Sequence, residues 1–241
     1  MDTRSIMIVG VGGQGSLLAS RLLGNVLLAQ GHDVKVSEVH GMSQRGGSVV
    51  TYVKYGDEVF SPVIEKGEAD VIISFEQLEA ARWLPYLKKG GKLITSTQKL
   101  DPMPVITGNA EYPEDIIEKI KAAGIEVTAA DALTLAEEAG NAKASNVVLM
   151  GVVAANTDFD DKLWQDAIEQ CVPPKFLELN KKAFELGKNA ANAVHAEFLN
   201  LDIGGFWFGK ILERRNRVYV KGGHEKASGR ASCGSGKARM G

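Results

Sequence analysis

A glycine-rich loop between a predicted strand and a predicted helix constrains the fold of this 241-residue chain more than any other feature. The apolar run at residues 6–9 is typical of a buried strand, and the leucine-rich stretch at 16–30 is typical of a helix that packs on a sheet. Between them, residues 10–15 read Gly-Val-Gly-Gly-Gln-Gly, which satisfies the pattern Gly-x-Gly-x-x-Gly. We therefore expect a β-α unit of an α/β fold.

The glycine loop predicts a nucleotide or phosphate site. Glycines let the backbone turn tightly and approach an anion, and the N-terminus of the following helix offers N–H groups and the positive end of a dipole. Glu38, at the end of the second predicted strand, is placed where a dinucleotide-binding acid accepts the ribose hydroxyls. The candidate cofactor-binding residues are Gly10, Gly12, Gly13, Gln14, Gly15 and Glu38. The same pattern also fits glycines that only pack a helix on a strand, and a glutamate that is solvated at a strand end.

Strands and helices alternate along the rest of residues 1–200. Further strands are predicted at 33–39, 48–55, 71–75, 92–95 and 125–129, and helices at 77–87, 113–123, 132–139, 146–155, 160–170 and 174–199. A turn at Gly56-Asp57 predicts that residues 58–61 return as an antiparallel strand. This order of elements predicts one Rossmann-like, three-layer α/β domain with a mostly parallel sheet and a helical C-terminal part.

Residues 201–241 form a second region that differs in composition and charge. Residues 1–209 carry a net charge of −9, whereas residues 210–241 carry nine Lys or Arg against two acids, a net charge of +7. An aromatic patch at 204–209 either packs on its own domain or docks another subunit. From Gly222 the basic tail is rich in Gly, Ser and Ala and has no large apolar residue except Met240, so it cannot bury a core and we expect it to be disordered. A solvated terminus is a simpler interpretation of the tail than a nucleic-acid-binding segment.

The sequence excludes several kinds of chemistry. Two cysteines, Cys171 and Cys233, cannot build a disulfide framework or supply a four-thiolate iron–sulfur cluster. The four histidines have no metal-ligand spacing, so we expect no metal held by this chain alone. The apolar runs are too short to cross a bilayer, and the first residues lack a basic leader, so we expect a cytoplasmic protein.

A second loop carries an unusual density of polar side chains and glycines. Residues 37–48 read Ser-Glu-Val-His-Gly-Met-Ser-Gln-Arg-Gly-Gly-Ser and follow a predicted strand, at the edge where open α/β sheets build their sites. The candidates that face substrate or a partner subunit are His40, Gly41, Ser43, Gln44, Arg45, Gly46 and Gly47. Arg45 either clamps a phosphate or carboxylate, pairs with an acid across a subunit interface, or is an ordinary surface arginine.

These two loops, together with Phe75-Glu76-x-Leu78-Glu79-Ala80, Asn146 and Val172-Pro-Pro174, resemble the gamma-domain family of the 2-oxoacid:acceptor oxidoreductases. The run at 37–51 is especially similar to the beta subunit of indolepyruvate ferredoxin oxidoreductases. The resemblance covers about residues 5–199. It implies an accessory subunit that is not active alone and has no catalytic residue of its own.

The resemblance also implies where the chemistry takes place. In this family an arylpyruvate is decarboxylated on thiamine diphosphate, electrons pass through iron–sulfur clusters to ferredoxin, and an aryl-acetyl-CoA is released. Thiamine diphosphate, Mg²⁺ and the clusters are expected on a larger alpha subunit, and coenzyme A is expected to contact the glycine loop here. The only Gly-Asp pair, Gly56-Asp57, lacks the Gly-Asp-Gly motif that holds thiamine diphosphate.

Two other functions remain open at the level of the sequence. Gly-x-Gly-x-x-Gly and Glu38 would suit a free-standing NAD(P)-dependent dehydrogenase, although no second domain for a substrate is evident. A noncatalytic module that binds nucleotide, or nucleic acid through the basic tail, is the third alternative.

Overall fold

The computed structural model describes residues 2–40 and 47–202, with side chains at all of these positions except His40 and 194–202. The chain forms two units, Met1–His195 and Ala196–Gly241. The first unit contains the described sheet. Of the second unit, only the end of the last helix is described, so the predictions for the aromatic patch and the basic tail fall outside the described residues.

Six strands form one sheet in the order β2-β3-β1-β4-β5-β6. Their bounds are Arg4–Val11 (β1), Asp33–His40 (β2), Ser48–Gly56 (β3), Ala69–Ser74 (β4), Leu87–Ser96 (β5) and Glu126–Ala130 (β6). Strand β3 pairs antiparallel with both β1 and β2, whereas β1, β4, β5 and β6 pair in parallel. The prediction of a mostly parallel sheet is confirmed.

The antiparallel strand is not where the turn signal predicted it. Residues 58–61 form no strand, and the segment from 57 to 68 connects β3 to β4 as a loop. The reversed strand is β3 itself, which pairs with β2 from Val49 opposite His40 to Gly56 opposite Asp33. Phe60 is 87% exposed, and Val59, although buried, donates its N–H to the Asp33 side chain at 2.8 Å rather than to a neighbouring strand.

Helices cover both faces of the sheet. Their bounds are Ser16–Ala29 (α1), Gln77–Trp83 (α2), Met103–Ile106 (α3), Ile116–Ala122 (α4), Ala132–Ala139 (α5), Ser145–Ala155 (α6), Asp161–Cys171 (α7) and Leu177–Asp202 (α8). Helices α1 and α5 to α8 build the core on one face, and α2 and α4 build the core on the other. Alternate residues of β1 enter the two cores, Ile8 the first and Val9 the second. The predicted three-layer α/β architecture is confirmed.

Helix α1 begins where the glycine loop ends. Gly15 precedes its first turn in a left-handed conformation, with φ of 84°, which costs a residue without Cβ little. Leu22, Leu23 and Leu27 are fully buried against the sheet. The helix ends at Ala29, and Gly31 follows with φ of 87° as the sequence predicts for a helix terminator.

Helices α6 and α8 cross with their backbones in contact. A Cβ on Gly151 of α6 would lie far inside van der Waals contact of the Phe184 carbonyl oxygen, and a Cβ on Gly187 of α8 would do the same with the Val148 carbonyl oxygen. These two glycines therefore serve close packing rather than a turn. No helix in the described part of the chain is long and apolar enough to cross a membrane.

The close crossing of α6 and α8 predicts that one added methyl group lowers the free energy of unfolding substantially. Gly187→Ala should lower the free energy of unfolding by about 3 kcal/mol, because the new Cβ meets a carbonyl that cannot move without separating the helices. Gly24→Ala in α1 is the matched control, since a Cβ there meets nothing within 4 Å. It should stabilise the helix by roughly 0.5–1 kcal/mol. Urea unfolding of both variants measures the difference, and equal stabilities would contradict the close crossing.

Candidate functional site

The candidate site lies at the carboxyl edge of the parallel strands. The loops after β1, β4 and β5 meet there, and the start of β3 joins them because β3 runs in the opposite direction. After β1 the chain moves to one side of the sheet, to β2, and after β3 it moves to the other, to β4. Open α/β sheets bind ligands at such a reversal of strand order, so the crevice between β1 and β4 is the expected place.

The glycine loop fills its space tightly at both ends and is open in the middle. A Cβ on Gly10 would lie 2.9 Å from Gln14 Oε1 and 3.1 Å from Phe75 Cβ, and one on Gly15 would collide with the Asn146 amide. Gly13 has φ of 103°, and a Cβ there would meet nothing within 4 Å. The loop is therefore accessible from the Gly13 side.

The side chain of Gln14 joins three loops at this edge. Its Oε1 accepts a hydrogen bond from Val11 N at 2.8 Å, and its Nε2 donates to Phe75 O and to Gln98 Oε1, both at 3.0 Å. Val11 ends β1, Phe75 follows β4 and Gln98 follows β5. The amide of Gln14 thus occupies the mouth of the β1–β4 crevice, and a direct contact of Gln14 with a cofactor remains a prediction.

Several backbone N–H groups of the glycine loop already have acceptors within the chain. Gly12 N donates to Gly47 O at 2.9 Å, and Gln14 N donates to Val11 O at 3.2 Å. An anion at this loop would therefore need other donors, those of Gly13, Gly15 and the first turn of α1.

Glu38 lies farther from the glycine loop than the sequence suggests. Because β3 separates β2 from β1, Glu38 is two strand spacings away from β1, about 10 Å. Its Oε1 accepts a hydrogen bond from Ser20 Oγ of α1 at 2.8 Å. A ribose-binding role of Glu38 stays a prediction.

The predicted substrate- or partner-facing residues are described only at the two ends of their loop. His40 is the last residue of β2, and Gly47 directly precedes β3. Gly41, Ser43, Gln44, Arg45 and Gly46 lie outside the described residues. The end of β2 and the start of β3 both lie at the carboxyl edge, and Gly47 lies beside the glycine loop.

Two buried carboxylates at the start of α2 were not assigned a role from the sequence. Glu76 is 1% exposed and caps α2 by accepting Glu79 N at 2.8 Å. It also accepts Leu100 N at 3.2 Å and the hydroxyl of Tyr112. Burial, followed by the hydrogen bond to Glu76, raises the pKa of Tyr112, so this hydroxyl stays a donor. Glu76 therefore ties the long β5–α4 connection to α2.

The second of these carboxylates, Glu79, is 4% exposed and faces the start of β3. It accepts hydrogen bonds from Ser48 Oγ, from Trp83 Nε1 at 3.2 Å and from Arg82 Nε at 3.0 Å. The signal that could have found both glutamates is their position, since acids at the start of a helix that follows a parallel strand lie at the carboxyl edge.

Asn146, a buried residue at the start of α6, holds the far end of the glycine loop. Its Nδ2 donates to Gly15 O at 3.2 Å, and its Oδ1 accepts from Val147 N at 2.9 Å. The edge is thus fastened from β3, β4, β5 and α6.

Comparisons with known proteins place the chain in a family. The family model for pyruvate ferredoxin/flavodoxin oxidoreductase matches residues 5–190. An indolepyruvate oxidoreductase subunit IorB of Thermococcus kodakarensis is 45% identical over 196 residues, which are 79% of this chain and 97% of that protein. The IorB subunit of Pyrococcus horikoshii is also 45% identical, over 83% of this chain and 100% of its own length.

A solved structure shares the fold. The keto/oxoacid ferredoxin oxidoreductase gamma subunit of Geobacter sulfurreducens superposes with a TM-score of 0.60 at 24% identity, over 79% of this chain and 99% of that chain. The six-stranded α/β architecture is therefore the fold of a known subunit class.

The fastening of the edge by Gln14 predicts a loss of stability in Gln14→Met. The methionine has a similar length but no amide, so Val11 N and Phe75 O lose their partner, and we expect a cost of about 2–3 kcal/mol. Gln170→Met, at an exposed position of α7, makes the same chemical change but loses only an exposed hydrogen bond from Asn25 Nδ2 at 3.4 Å, so it should stay within about 0.5 kcal/mol of the parent. Urea unfolding measures both, and a similar small effect at both positions would show that the Gln14 contacts do not hold the edge.

Proposed function

The chain belongs to the pyruvate ferredoxin/flavodoxin oxidoreductase family, and we propose that it is the accessory, gamma-type subunit of a 2-oxoacid:ferredoxin oxidoreductase. The observation that carries the proposal is 45% identity to IorB subunits over nearly their whole length. The proposed reaction converts indolepyruvate or a related arylpyruvate, CoA and oxidised ferredoxin to aryl-acetyl-CoA, CO₂ and reduced ferredoxin.

The chain's own residues do not fit the redox cofactors of such a reaction. Two cysteines in the whole sequence are too few for a four-thiolate cluster. Gly56-Asp57 follows the end of β3, and since Gly56 pairs with Asp33 at the start of β2, it lies at the amino edge, opposite the glycine loop. We therefore place thiamine diphosphate, Mg²⁺ and the iron–sulfur clusters on a larger partner subunit of a cytoplasmic hetero-oligomer.

The carboxyl edge is the proposed contribution of this chain to the active site. We place the pyrophosphate of CoA against the open, Gly13 side of the glycine loop, where the N–H groups of Gly13, Gly15 and the first turn of α1 can receive it. Gly10 leaves room for Gln14 and Phe75, and Gly13 and Gly15 turn the loop with positive φ. Gln14 lies at the loop, whereas Glu38 lies two strand spacings from β1. The loop from His40 to Gly47 is proposed to face the partner's thiamine site, because β2 and β3 deliver it to the same edge.

The geometry and the relatives do not favour a free-standing dehydrogenase. In a dinucleotide site the acid stands at the end of the strand next to β1, whereas here β3 occupies that place and Glu38 contacts α1. The two IorB subunits that match are oxidoreductase subunits, and they match over nearly their full length.

Purification from the native host tests partner and reaction together. A tagged full-length chain should bring down a larger, brown, iron-containing polypeptide, and the complex should reduce a viologen with indolepyruvate and CoA faster than with pyruvate or 2-oxoglutarate. The isolated chain should show no turnover, because it lacks a group that stores an electron. Oxidation of a 2-oxoacid by the isolated chain, or a complex without this activity, would contradict the proposal.

The position of CoA is tested by Gly13→Asp in the assembled complex. A carboxylate beside the pyrophosphate should raise the Kd for CoA at least about tenfold through like-charge repulsion. Gly67→Asp is the matched control: Gly67 has φ of 80° and equally open surroundings, but it precedes β4 at the amino edge. Isothermal titration should give CoA affinity within twofold of the parent for this control. Equal CoA affinities for the two variants would show that CoA does not bind at the glycine loop.

A further inference from the structure

A closed group of hydrogen bonds links α2 to the start of β3. Ser48 Oγ and Trp83 Nε1 both donate to Glu79 Oε2, and Trp83 Nε1 also lies 3.2 Å from Ser48 Oγ. On the other side of the same carboxylate, Oε1 accepts from Arg82. A carboxylate that is 4% exposed is stable only when its oxygens are satisfied in this way. Glu79 therefore holds the Ser48 side chain in one place.

Ser48 stands next to the base of the glycine loop. In the pairing of β1 with β3 it lies opposite Val11, the residue that ends β1. The preceding residue, Gly47, accepts the hydrogen bond of Gly12 N at 2.9 Å. A shift of Ser48 would move the Gly47 carbonyl and release the Gly12 peptide.

We infer that Glu79 is a positioning residue for the glycine loop, which it orients through Ser48 and Gly47. Gln14 fixes the loop from the side of β4 and β5, and Glu79 fixes it from the side of β3. The two anchors act on adjacent peptides, since Val11 N is held by Gln14 and Gly12 N by Gly47. That the loop binds CoA rests on the proposed function. That Glu79 holds the loop in place rests only on the hydrogen bonds among the described residues.

Substitution of Ser48 tests the inference with little risk to folding, because the residue as a whole is exposed. Ser48→Ala removes the donor to Glu79 and the contact of Ser48 with Trp83, and it leaves the hydrogen bonds of Arg82 and Trp83 to Glu79 in place. In the complex with the larger subunit, we expect the KM for CoA to rise about tenfold, with kcat and the KM for indolepyruvate within twofold of the parent. Ser48→Thr keeps the hydroxyl and should restore the parent values. Glu79→Gln should raise the KM for CoA as Ser48→Ala does. If Glu79→Gln fails to fold, the two Ser48 variants still test the inference.

Arg82→Ala is the matched control. It removes a donor from the same carboxylate, but Arg82 has a half-exposed side chain and no contact with Ser48 among the described hydrogen bonds. It should leave all three kinetic constants within twofold of the parent. A fall in kcat or melting temperature in Ser48→Ala without a change in the KM for CoA would assign Ser48 and Glu79 to fold stability alone and overturn the inference.

Amide exchange at Gly12 gives a readout that does not need turnover. In the full chain, Ser48→Ala should speed exchange of the Gly12 amide at least about fivefold, and Arg82→Ala should not. Unchanged protection of Gly12 in Ser48→Ala would overturn the anchor whatever the kinetics show. An inactive parent complex would instead count against the proposed function, and the exchange result would still decide whether Glu79 positions the loop.

Discussion

The direction of β3 is the constraint on which the carboxyl edge depends. A parallel strand inserted between β1 and β2 would bring its end to this edge, whereas the antiparallel β3 brings its beginning, Gly47 and Ser48. The start of β3 therefore lies beside the glycine loop, where Gly12 N donates to Gly47 O, and Ser48 joins this start to Glu79 of α2. Because β3 is inserted there, Glu38 lies away from β1, and its carboxylate accepts a hydrogen bond from Ser20 Oγ of α1. One reversed strand thus changes a Rossmann-like edge into a differently shaped surface.

The polar side chains at this edge are largely used within the chain. Gln14 joins three loops, Glu76 accepts hydrogen bonds from Leu100 N and the Tyr112 hydroxyl, and Asn146 Nδ2 donates to Gly15 O. Because buried amides and carboxylates are costly without partners, these contacts favour one arrangement of the loops over others. The edge is therefore built in advance of any ligand, and a ligand or partner that binds it need not order these groups.

The sequence predicts the elements well and their pairing less well. The glycine loop and the leucines of α1 define the first β-α unit, and alternating valines define β2, because local periodicity depends on neighbours in the chain. Side-chain alternation is the same in a parallel and an antiparallel strand, so the direction of β3 could not be predicted. The turn signal at Gly56 led to the wrong prediction of an antiparallel strand at 58–61. The contacts that fasten the site join residues far apart in sequence: Gln14 and Gln98 are 84 residues apart, and Asn146 and Gly15 are 131 apart. No local pattern contains them.

A subunit without redox groups can still control a redox reaction through shape. The larger partner is proposed to supply the carbanion-stabilising and electron-storing groups, which this sequence lacks, so the contribution left to this chain is the position of a substrate relative to those groups. Positioning requires a surface that does not adjust to each ligand, because catalysis is sensitive to displacements of about 1 Å. The anchors from Gln14 and Glu79 meet that requirement at adjacent peptides, Val11 and Gly12. Glu79 lies on α2, next to the sheet, and Gln14 ties the loop from within to Phe75 and Gln98, which follow β4 and β5 in the rigid part of the fold.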